Sequence, residues 1–562
     1  MPTLRTLPEA LAEAARAGDG YYFLSGRHET FRSYADVRGA ACRFARALVE
    51  SGLRRGDLVG LVLNDAEAFL TALMGASMAG VVPASMHPPA AVGDLTRFVD
   101  LTAGILRSSA ARAVVTERAL LPHFDAVRAA CPALSLVLAR EDLDAPASDP
   151  PSHPALDDIA LVQFTSGSTS APKGVVLTHR NLAANIEAIN GPAGLALAKG
   201  DVGVSWLPLN HDMGLVGMAL TPVYASLTGV LMPPAMFVKR PVEWLRAITR
   251  FRGTISFAPH FAYDLCLRRV KDRDLEGLDL SGWRAAGCGA EPIHPPTFAA
   301  FAARFAPVGF RETSFFPCYG LAEHVLAATL PTRDRLPRID TAAVQAPSEL
   351  SAESCAPLPP AAREMAGIPL VGCGRALPEH EVRIVDEADR PLPDRWVGEI
   401  ALKGPSVMMG YYNRDTLTAE TIRDGWLHTG DLGYLSDGEL FVSGRAKDII
   451  IVNGRKHHPQ DLEWAVGDLT GVRRGRVAAF GIDEPGRPDR VVVVVEPSGT
   501  VRADDLVAGI RRRIGDVFGL YVDEVAIVPS GTVGRTTSGK VQRSATKARY
   551  LQGEFSAATV EG

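Results

Sequence analysis

The sequence predicts an α/β fold in two parts: a large amino-terminal domain of layered sheets and helices, then a small α+β domain. Segments typical of strands and helices alternate through most of the chain, which favours parallel sheets covered by helices. The chain has 562 residues, more than one hydrophobic core usually organises. Near residue 440 the pattern changes to short β-rich runs between glycines.

The first strands and helix of the large domain lie between residues 57 and 85. The stretch DLVGLVLND, from Asp57 to Asp65, is typical of a strand, AEAFLTALMGASMAG of an amphipathic helix, and VVPAS of a second strand. The alternation returns at ARAVVTE, ALSLVLA and GTISFAP. The segment from Ser348 to Arg363 differs, because it is rich in Ala, Pro, Ser and Glu without periodicity. It indicates a loop or a weakly packed insertion.

The small domain contains its own strands and helices. RVAAFGID, DRVVVVVEP and EVAIVPSG are typical of strands, and QDLEWAVGDL and ADDLVAGIRRRIG of helices. About 115 residues are a plausible size for such a domain. We place the boundary at residues 445–448, which gives a large domain at 1–445, a connection at 446–448 and a small domain at 449–562.

Charge and hydropathy exclude two classes of partner. The chain has 59 basic and 64 acidic residues, a formal charge of −5, so no general nucleic-acid binding is expected. The amino-terminal stretch MPTLRTLPEALAEAARAG has no continuous apolar core and is typical of a surface helix, not a signal peptide. The longest apolar run, VVVVVEP from Val491, is too short for a membrane span and typical of a buried strand. We expect a cytoplasmic protein.

Cysteine and histidine spacing predicts neither disulfides nor a structural metal. The seven cysteines are odd in number, widely spaced and without a CxxC pair. The 13 histidines form no HExxH, and the adjacent His457 and His458 cannot both face one metal from a strand or helix.

The stretch FTSGSTSAPKGVVLTH, from Phe164 to His179, is the first candidate for chemistry. Its small residues let backbone N–H groups approach an anion, and its hydroxyls add donors. A Walker A loop would need a helix after the lysine, whereas Lys173 is followed by Gly174 and a strand-like VVL. The alternative is a plain polar turn between two strands. The candidate phosphate contacts are Thr165, Ser166, Gly167, Ser168, Thr169 and Lys173.

Six further stretches follow in a set order. They are WLPLNHDMGLVG (206–217), GCGAEP (287–292), CYGLAE (318–323), GWLHTGDLGYL (425–435), GRAKDIIIVNG (444–454) and TTSGKVQR (536–543). With TSGSTSAPKGVVLTH they resemble the signatures of the adenylate-forming superfamily, which includes acyl-CoA synthetases, nonribosomal adenylation domains, luciferases and acyl-AMP ligases. The resemblance spans most of the chain.

The resemblance implies that a carboxylate attacks the α-phosphate of ATP and releases pyrophosphate. Two anions must meet, so the site needs cations and dipoles aimed at the developing charge. Lys173 would hold the β- and γ-phosphates, Glu323 would bind Mg²⁺, Asp431 would accept ribose hydroxyls, and Arg445 would reach ribose or phosphate. Adenine would lie between Tyr319 and the opposite wall. The implied nucleotide contacts around the base are Gly289, Ala290, Glu291, Pro292, Cys318, Tyr319, Gly320 and Leu321.

By the same resemblance, Lys540 of the small domain bridges the carboxylate and the α-phosphate. A long ammonium side chain suits a reach across a domain gap. The hinge falls on Lys447, about which the small domain would rotate between half-reactions. Lys540, Glu323 and His211 are the implied catalytic residues.

Taken singly, these residues have plainer interpretations. Glu323 is typical of an acid at a helix start, Asp431 of a turn residue, and Lys540 of a solvated lysine. Their order and shared chemistry favour the site. Arg511 to Arg513 indicate a solvated helix face, with docking of an acidic carrier protein as the alternative.

Three features resemble the fatty acyl-AMP ligase branch of the superfamily. LPLNHDMGLVG and GRAKDIIIVNGRKHHPQDLE are similar to that branch's motifs, although Asn210, Lys456 and His458 replace its usual residues. The third feature is the 48 residues from His324 to Val371, an interval that acyl-CoA synthetases usually cross with a shorter stretch. The excess would hold the branch's insertion, within about 335–370.

The implied function is activation of a fatty acid as its adenylate, followed by transfer to the phosphopantetheine thiol of a separate acyl carrier protein for polyketide, lipopeptide or lipid synthesis. Asn210, Asp212, Met213 and Gly214 would line the acyl tunnel, and MGLVGMALTPVYASLTG is either a tunnel wall or a core helix. The alternatives are a fatty acyl-CoA ligase, adenylation of another acid such as an amino acid, and a degenerate binding protein of the same fold.

Overall fold

The structure is a computed structural model that describes residues 3–26, 28–88, 95–146, 149–165, 172–340, 369–452, 455–482, 489–499, 501–535 and 540–555. Its α-helices are α1 Leu7–Ala14, α2 Tyr34–Glu50, α3 Ala66–Met78, α4 Leu95–Ser108, α5 Phe124–Ala130, α6 His179–Asn190, α7 Thr221–Ala225, α8 Pro234–Lys239, α9 Val242–Phe251, α10 His260–Arg269, α11 Pro295–Phe305, α12 Asp415–Thr421, α13 Pro459–Gly467, α14 Ala503–Phe518 and α15 Arg543–Leu551.

The strands run from the amino-terminal hairpin to the small domain. They are β1 Gly20–Ser25, β2 His28–Ser33, β3 Leu58–Val62, β4 Val82–Ser85, β5 Ala113–Thr116, β6 Leu136–Ala139, β7 Ile159–Thr165, β8 Lys173–Thr178, β9 Val202–Ser205, β10 Thr228–Leu231, β11 Ile255–Ala258, β12 Ala285–Cys288, β13 Phe315–Pro317, β14 Tyr319–Gly320, β15 Ala327–Leu330, β16 Ile339–Asp340, β17 Leu370–Val371, β18 Arg375–Ala376, β19 Glu381–Val385, β20 Gly398–Lys403, β21 Gly410–Tyr411, β22 Ile422–Arg423, β23 Trp426–Ser436, β24 Glu439–Arg445, β25 Ile450–Val452, β26 Arg455–His457, β27 Val472–Ile482, β28 Arg490–Pro497 and β29 Glu524–Ile527.

Two seven-stranded sheets form the framework of the first 412 residues. One has the order β13-β12-β11-β9-β10-β1-β2 and the other β21-β8-β7-β4-β3-β5-β6. Their central strands pair in parallel, for example β11 with β12 and β3 with β4, while the edge pairs β1–β2 and β8–β21 are antiparallel. The predicted α/β class is therefore confirmed, and each predicted strand of this region forms.

Helix α3 corrects one expectation. The sequence predicts an amphipathic helix, but every residue from Phe69 to Met78 is buried. The helix packs against α1 and α2 as well as against β3 and β4, so it has no solvent face. Its small residues explain the fit, since a Cβ added at Gly75 would lie 2.8 Å from the Ala41 carbonyl oxygen on α2.

A third sheet carries residues 381–445. Its order is β19-β20-β23-β22, and β24 pairs with β23. The β23–β24 register sets Asp431 opposite Arg445. Residues Ala446–Asp448 then form one 3₁₀ turn, at the predicted hinge. The proposed domain limits themselves stay a prediction.

The valine-rich stretch forms β28, a central strand of the three-stranded sheet β27-β28-β29. Val491, Val493 and Val495 pack with α13 and α14 residues, while Val492 and Val494 face a second cluster that includes Tyr550 of α15. Because helices cover both faces, the run is apolar without alternation.

The irregular stretch from Ser348 to Arg363, inside the insertion predicted within about 335–370, lies outside the described residues. Within the described ranges, no helix combines the length and apolar character that crossing a bilayer requires.

Candidate functional site

The stretch from Phe164 to His179 contains the end of strand β7 and all of strand β8, which pair antiparallel with Thr165 opposite Lys173. Lys173 begins a strand, as predicted, and α6 starts only at His179. This confirms that the chain after the lysine is not the helix of a Walker A motif. Ser166, Gly167, Ser168 and Thr169 lie outside the described residues, as does the side chain of Thr165.

Tyr411 connects Lys173 to Glu323. The β21–β8 pairing sets Tyr411 opposite Val175, so the Lys173 Nζ lies 5.1 Å from the centre of the Tyr411 ring. The Tyr411 hydroxyl donates to Glu323 Oε1 at 2.8 Å. Burial, with Glu323 adding to it, raises the pKa of Tyr411. The phosphate-loop lysine and the predicted Mg²⁺ ligand therefore share one neighbour.

The fit of Mg²⁺ to this site depends on the nucleotide. No cluster of three or more His, Cys, Asp or Glu with metal-ligand geometry occurs in the described part of the chain. Mg²⁺ usually takes one or two carboxylates and completes its shell with phosphate and water oxygens. Glu323 alone fits that pattern, and its role as a Mg²⁺ ligand stays a prediction.

The predicted adenine walls follow neighbouring parallel strands. Gly289 to Pro292 come after β12, and Cys318 to Leu321 come after β13, so both lie at the carboxyl edge of the sheet. The Cys318 N–H donates to the Cys288 carbonyl at 2.8 Å. A Cβ added at Gly289 would lie 2.9 Å from the Cys318 carbonyl oxygen. Glycine therefore keeps the two walls in close contact.

Asp431 is the centre of a second group. Its Oδ2 accepts from the Tyr319 hydroxyl at 2.8 Å, and its Oδ1 accepts from Arg445 Nε at 2.8 Å. Burial and the Asp431 charge raise the pKa of Tyr319. The carboxylate is 7% exposed, and each oxygen retains acceptor capacity. The group could accept ribose hydroxyls.

The His211 and Asp212 side chains are in contact at the start of a buried helix. His211 Nδ1 lies 2.6 Å from Asp212 Oδ1, which also accepts from the Met213 N–H at 2.7 Å. Burial would raise the pKa of Asp212, but His211, Lys540 and this N–H hold it below its ordinary value. Residues Met213–Leu220 form a π-helix, a geometry frequent at functional sites. A Cβ at Gly214 would lie 2.3 Å from the Pro208 carbonyl oxygen.

Asn210 contacts a residue that sequence reasoning missed. Its Nδ2 lies 3.0 Å from His87 Nε2. Burial, with a contribution from His211, lowers the pKa of His87 to about 4, so the neutral ring can accept this bond. The signal in the sequence was a histidine two residues after the predicted strand VVPAS. Tyr411 was also missed; it directly follows Gly410, whose φ of +151° favours glycine.

Lys540, which precedes the Arg535–Val541 β-bridge of the small domain, lies among large-domain residues. Burial and Arg445 lower its pKa, while Asp212, Asp431 and Glu291 oppose that shift. Glu291 Oε1 accepts from the Phe261 N–H at 2.6 Å, and burial raises its pKa to about 7. The structure thus brings together Lys540, the His211–Asp212 pair and the Asp431 group. Lys447 is exposed in the turn after β24, and its hinge role stays a prediction.

Two family models match this chain. Residues 11–412 match the model described as AMP-binding enzyme, and residues 447–560 match that of the Disco-interacting protein 2-like AMP domain. The Caulobacter vibrioides protein described as a putative acyl-CoA synthetase is 38% identical, over 98% of this chain and 96% of its own. The medium-chain-fatty-acid–[acyl-carrier-protein] ligase JamA of Moorena producens is 35% identical, over 98% and 95%.

A solved structure also matches nearly the whole of this chain. A chain from a study of fatty acyl-adenylate ligases of E. coli and L. pneumophila superposes with a TM-score of 0.88 at 36% identity, over 98% of this chain and 99% of that one. The fold described above agrees with these comparisons. The chain belongs to the AMP-binding family of adenylate-forming ligases.

Proposed function

We propose that this enzyme activates a fatty acid as its adenylate and transfers the acyl group to the phosphopantetheine thiol of a separate acyl carrier protein. The observation that carries the proposal is the position of Lys540 beside Asp212, Asp431, Glu291 and Arg445. An ammonium held there would meet both the nucleotide and the acid. The similarity to JamA and to fatty acyl-adenylate ligases supports this choice of acid and acceptor.

In the first half-reaction a carboxylate oxygen attacks the α-phosphorus of ATP, and the bond to the bridging oxygen of pyrophosphate breaks. Negative charge grows on the α-phosphate oxygens, and Lys540 is proposed to stabilise it there. Lys173 would hold the β- and γ-phosphates, with Tyr411 keeping it close to Glu323. Mg²⁺, when bound at Glu323, would neutralise phosphate charge.

In the second half-reaction the carrier thiol attacks the acyl carbonyl and AMP leaves. Asp431 and Arg445 would hold the ribose through both steps, whereas Lys540 is required only for the first. Rotation about Lys447 would withdraw it. The apolar π-helix Met213–Leu220 is buried except at Gly217. Together with Asn210 it would line the acyl tunnel.

Hydroxamate trapping tests the first half-reaction. Purified enzyme receives ATP, Mg²⁺ and saturated acids of graded length, and adenylate is trapped with hydroxylamine. Lys540→Ala should slow adenylate formation about 100- to 1,000-fold, the usual cost of losing one charge-stabilising group. Transfer from synthetic acyl adenylate should continue at the wild-type rate. Intact adenylate formation in Lys540→Ala would refute the proposed mechanism.

The second candidate function is an acyl-CoA ligase, which the Caulobacter vibrioides relative favours by its description. The same assay separates the two when free CoA and phosphopantetheinylated carrier protein are compared as acceptors at equal concentration. We expect acyl transfer to the carrier alone. If CoA accepts the acyl group as readily, the carrier-protein assignment fails.

A further inference from the structure

The segment that carries Lys540, here called the Lys540 hairpin, is defined by one antiparallel β-bridge in the small domain. Arg535 and Val541 form a β-bridge at its base, and the Gln542 N–H donates to the Gly534 carbonyl at 2.8 Å. The turn that leads into the hairpin follows β29 and runs from Pro529 to Val533. The conformation of this turn therefore sets where the hairpin leaves the small domain.

One buried carboxylate holds that turn. Glu496, near the end of β28, is 0% exposed. Its Oε1 accepts two backbone hydrogen bonds, from the Gly531 N–H at 2.9 Å and the Val533 N–H at 3.0 Å. Two N–H groups that converge on one oxygen define the path of the three residues from Gly531 to Val533.

Two arginines on β27 complete the arrangement. Glu496 Oε2 lies 3.6 Å from Arg473 Nη1 and 4.0 Å from Arg476 Nε. Arg476 Nη1 also donates to the Val533 carbonyl at 2.8 Å, and Arg473 hydrogen-bonds to Ser530 Oγ. The turn is thus held on its N–H side by Glu496 and on its oxygen side by the arginines.

Burial of a carboxylate is expensive unless it is paired and hydrogen-bonded. A plain surface turn needs no such group. The turn here leads directly to the hairpin of Lys540, whose side chain must meet Asp212 and Asp431 in the other domain. A misplacement of about 1 Å at a reacting centre can cost about 100-fold in rate, so a rigid base for this hairpin has a catalytic consequence.

We propose that Glu496 is a positioning residue for Lys540: by fixing the turn at 529–533 it aims the hairpin, and hence the ammonium, at the large-domain site. The inference rests on the proposed function of Lys540. Glu496 acts only when Lys540 acts, in adenylate formation and not in acyl transfer. A residue that only stabilised the small domain would affect both half-reactions, so this restriction distinguishes positioning of Lys540 from general stabilisation of the fold.

The test measures both half-reactions in the full chain. Glu496→Ala should slow adenylate formation about 10- to 100-fold and leave transfer from synthetic acyl adenylate to carrier protein within twofold of wild type, about the resolution of such rates. Glu496→Gln keeps an oxygen that can accept both N–H groups and should recover most of the lost adenylate formation.

Val493→Ala is the matched control. It removes buried volume from the same strand on the opposite face, and its thermal stability should fall while the ratio of the two half-reactions stays at the wild-type value. Equal losses in both half-reactions of Glu496→Ala, or the same selective loss in Val493→Ala, would overturn the proposal. Lys540→Ala in the same assay checks the premise: if it is not selective, the proposed role of Lys540 fails instead.

Discussion

The two halves of the site are built in different ways. The Asp431 group belongs to one part of the chain: Asp431 and Arg445 are partners across two strands of one sheet, and Tyr319 completes the group. Lys540 belongs to the small domain, where it precedes the isolated β-bridge between Arg535 and Val541. The first half is assembled with the large domain, and the second depends on how the small domain is seated.

Side-chain contacts seat the small domain beside the predicted hinge. The His294 and Trp464 rings lie 4.9 Å apart, Arg474 Nη1 lies 3.5 Å from Asp264 Oδ1, and Arg535 lies over the Phe261 ring at 5.9 Å. The Arg474 side chain is exposed, and exposed ion pairs contribute little to stability. A nucleotide pocket formed within the large domain, together with a Lys540 that can move out of the site with the small domain, would suit a two-step reaction.

The largest effect is expected from Asp431→Ala. Since Asp431 stays in place when the small domain moves, the variant should lose both half-reactions, each by about 100- to 1,000-fold. Lys540→Ala should lose only the first. Rates of adenylate formation and of transfer from synthetic adenylate provide the measurement. Asp125→Ala, which removes an exposed carboxylate of α5, is the control and should change neither rate. A loss confined to adenylate formation in Asp431→Ala would contradict the proposed difference between the two halves of the site.

A smaller effect is expected where the domains touch. Trp464→Ala removes the ring contact with His294 and should slow adenylate formation about two- to tenfold, the value of an aromatic pair, without slowing transfer. His294→Phe keeps an aromatic partner and should stay close to wild type. If Trp464→Ala slows transfer as well, the contact supports the small domain in general and does not seat Lys540.

The smallest effect concerns Glu291, where the two halves meet. Burial raises its pKa from 4.5 to about 7. Between these values the unfolded chain releases a proton that the folded protein keeps, so this group lowers stability as pH rises through that window. The difference between the Tm of Glu291→Gln and that of wild type should therefore increase by a few degrees in favour of the variant as pH rises from 4.5 to 7. A gap that stays constant with pH would contradict the expected ionisation.

Local patterns predicted much of the fold for a clear reason. Strands such as β3, β11 and β28 are short apolar runs whose burial follows from their own side chains. The amphipathic prediction for helix α3 was wrong because such a pattern implies one buried and one exposed face. In the structure α1 and α2 cover the face that was expected to be exposed, and that packing depends on other segments of the chain.

In the site, too, several contacts depend on tertiary structure and not on local sequence. Tyr411 reaches Lys173 only because β21 pairs with β8, and His87 reaches Asn210 across two strand ends. Glu496 lies in the run DRVVVVVEP, where its neighbours indicate a strand but give no sign of the turn that it holds. No pattern within a few residues of these positions records such partners.

The sequence by itself determined the order of the seven motifs, the strand after Lys173 and the residue types available for nucleotide chemistry, because these depend on local composition and spacing. Only the tertiary structure decided which of those groups meet. Lys540, Asp212 and Asp431 are far apart in the chain and are joined by sheet register and domain contacts. Such contacts arise from packing of the whole chain, which no single stretch encodes.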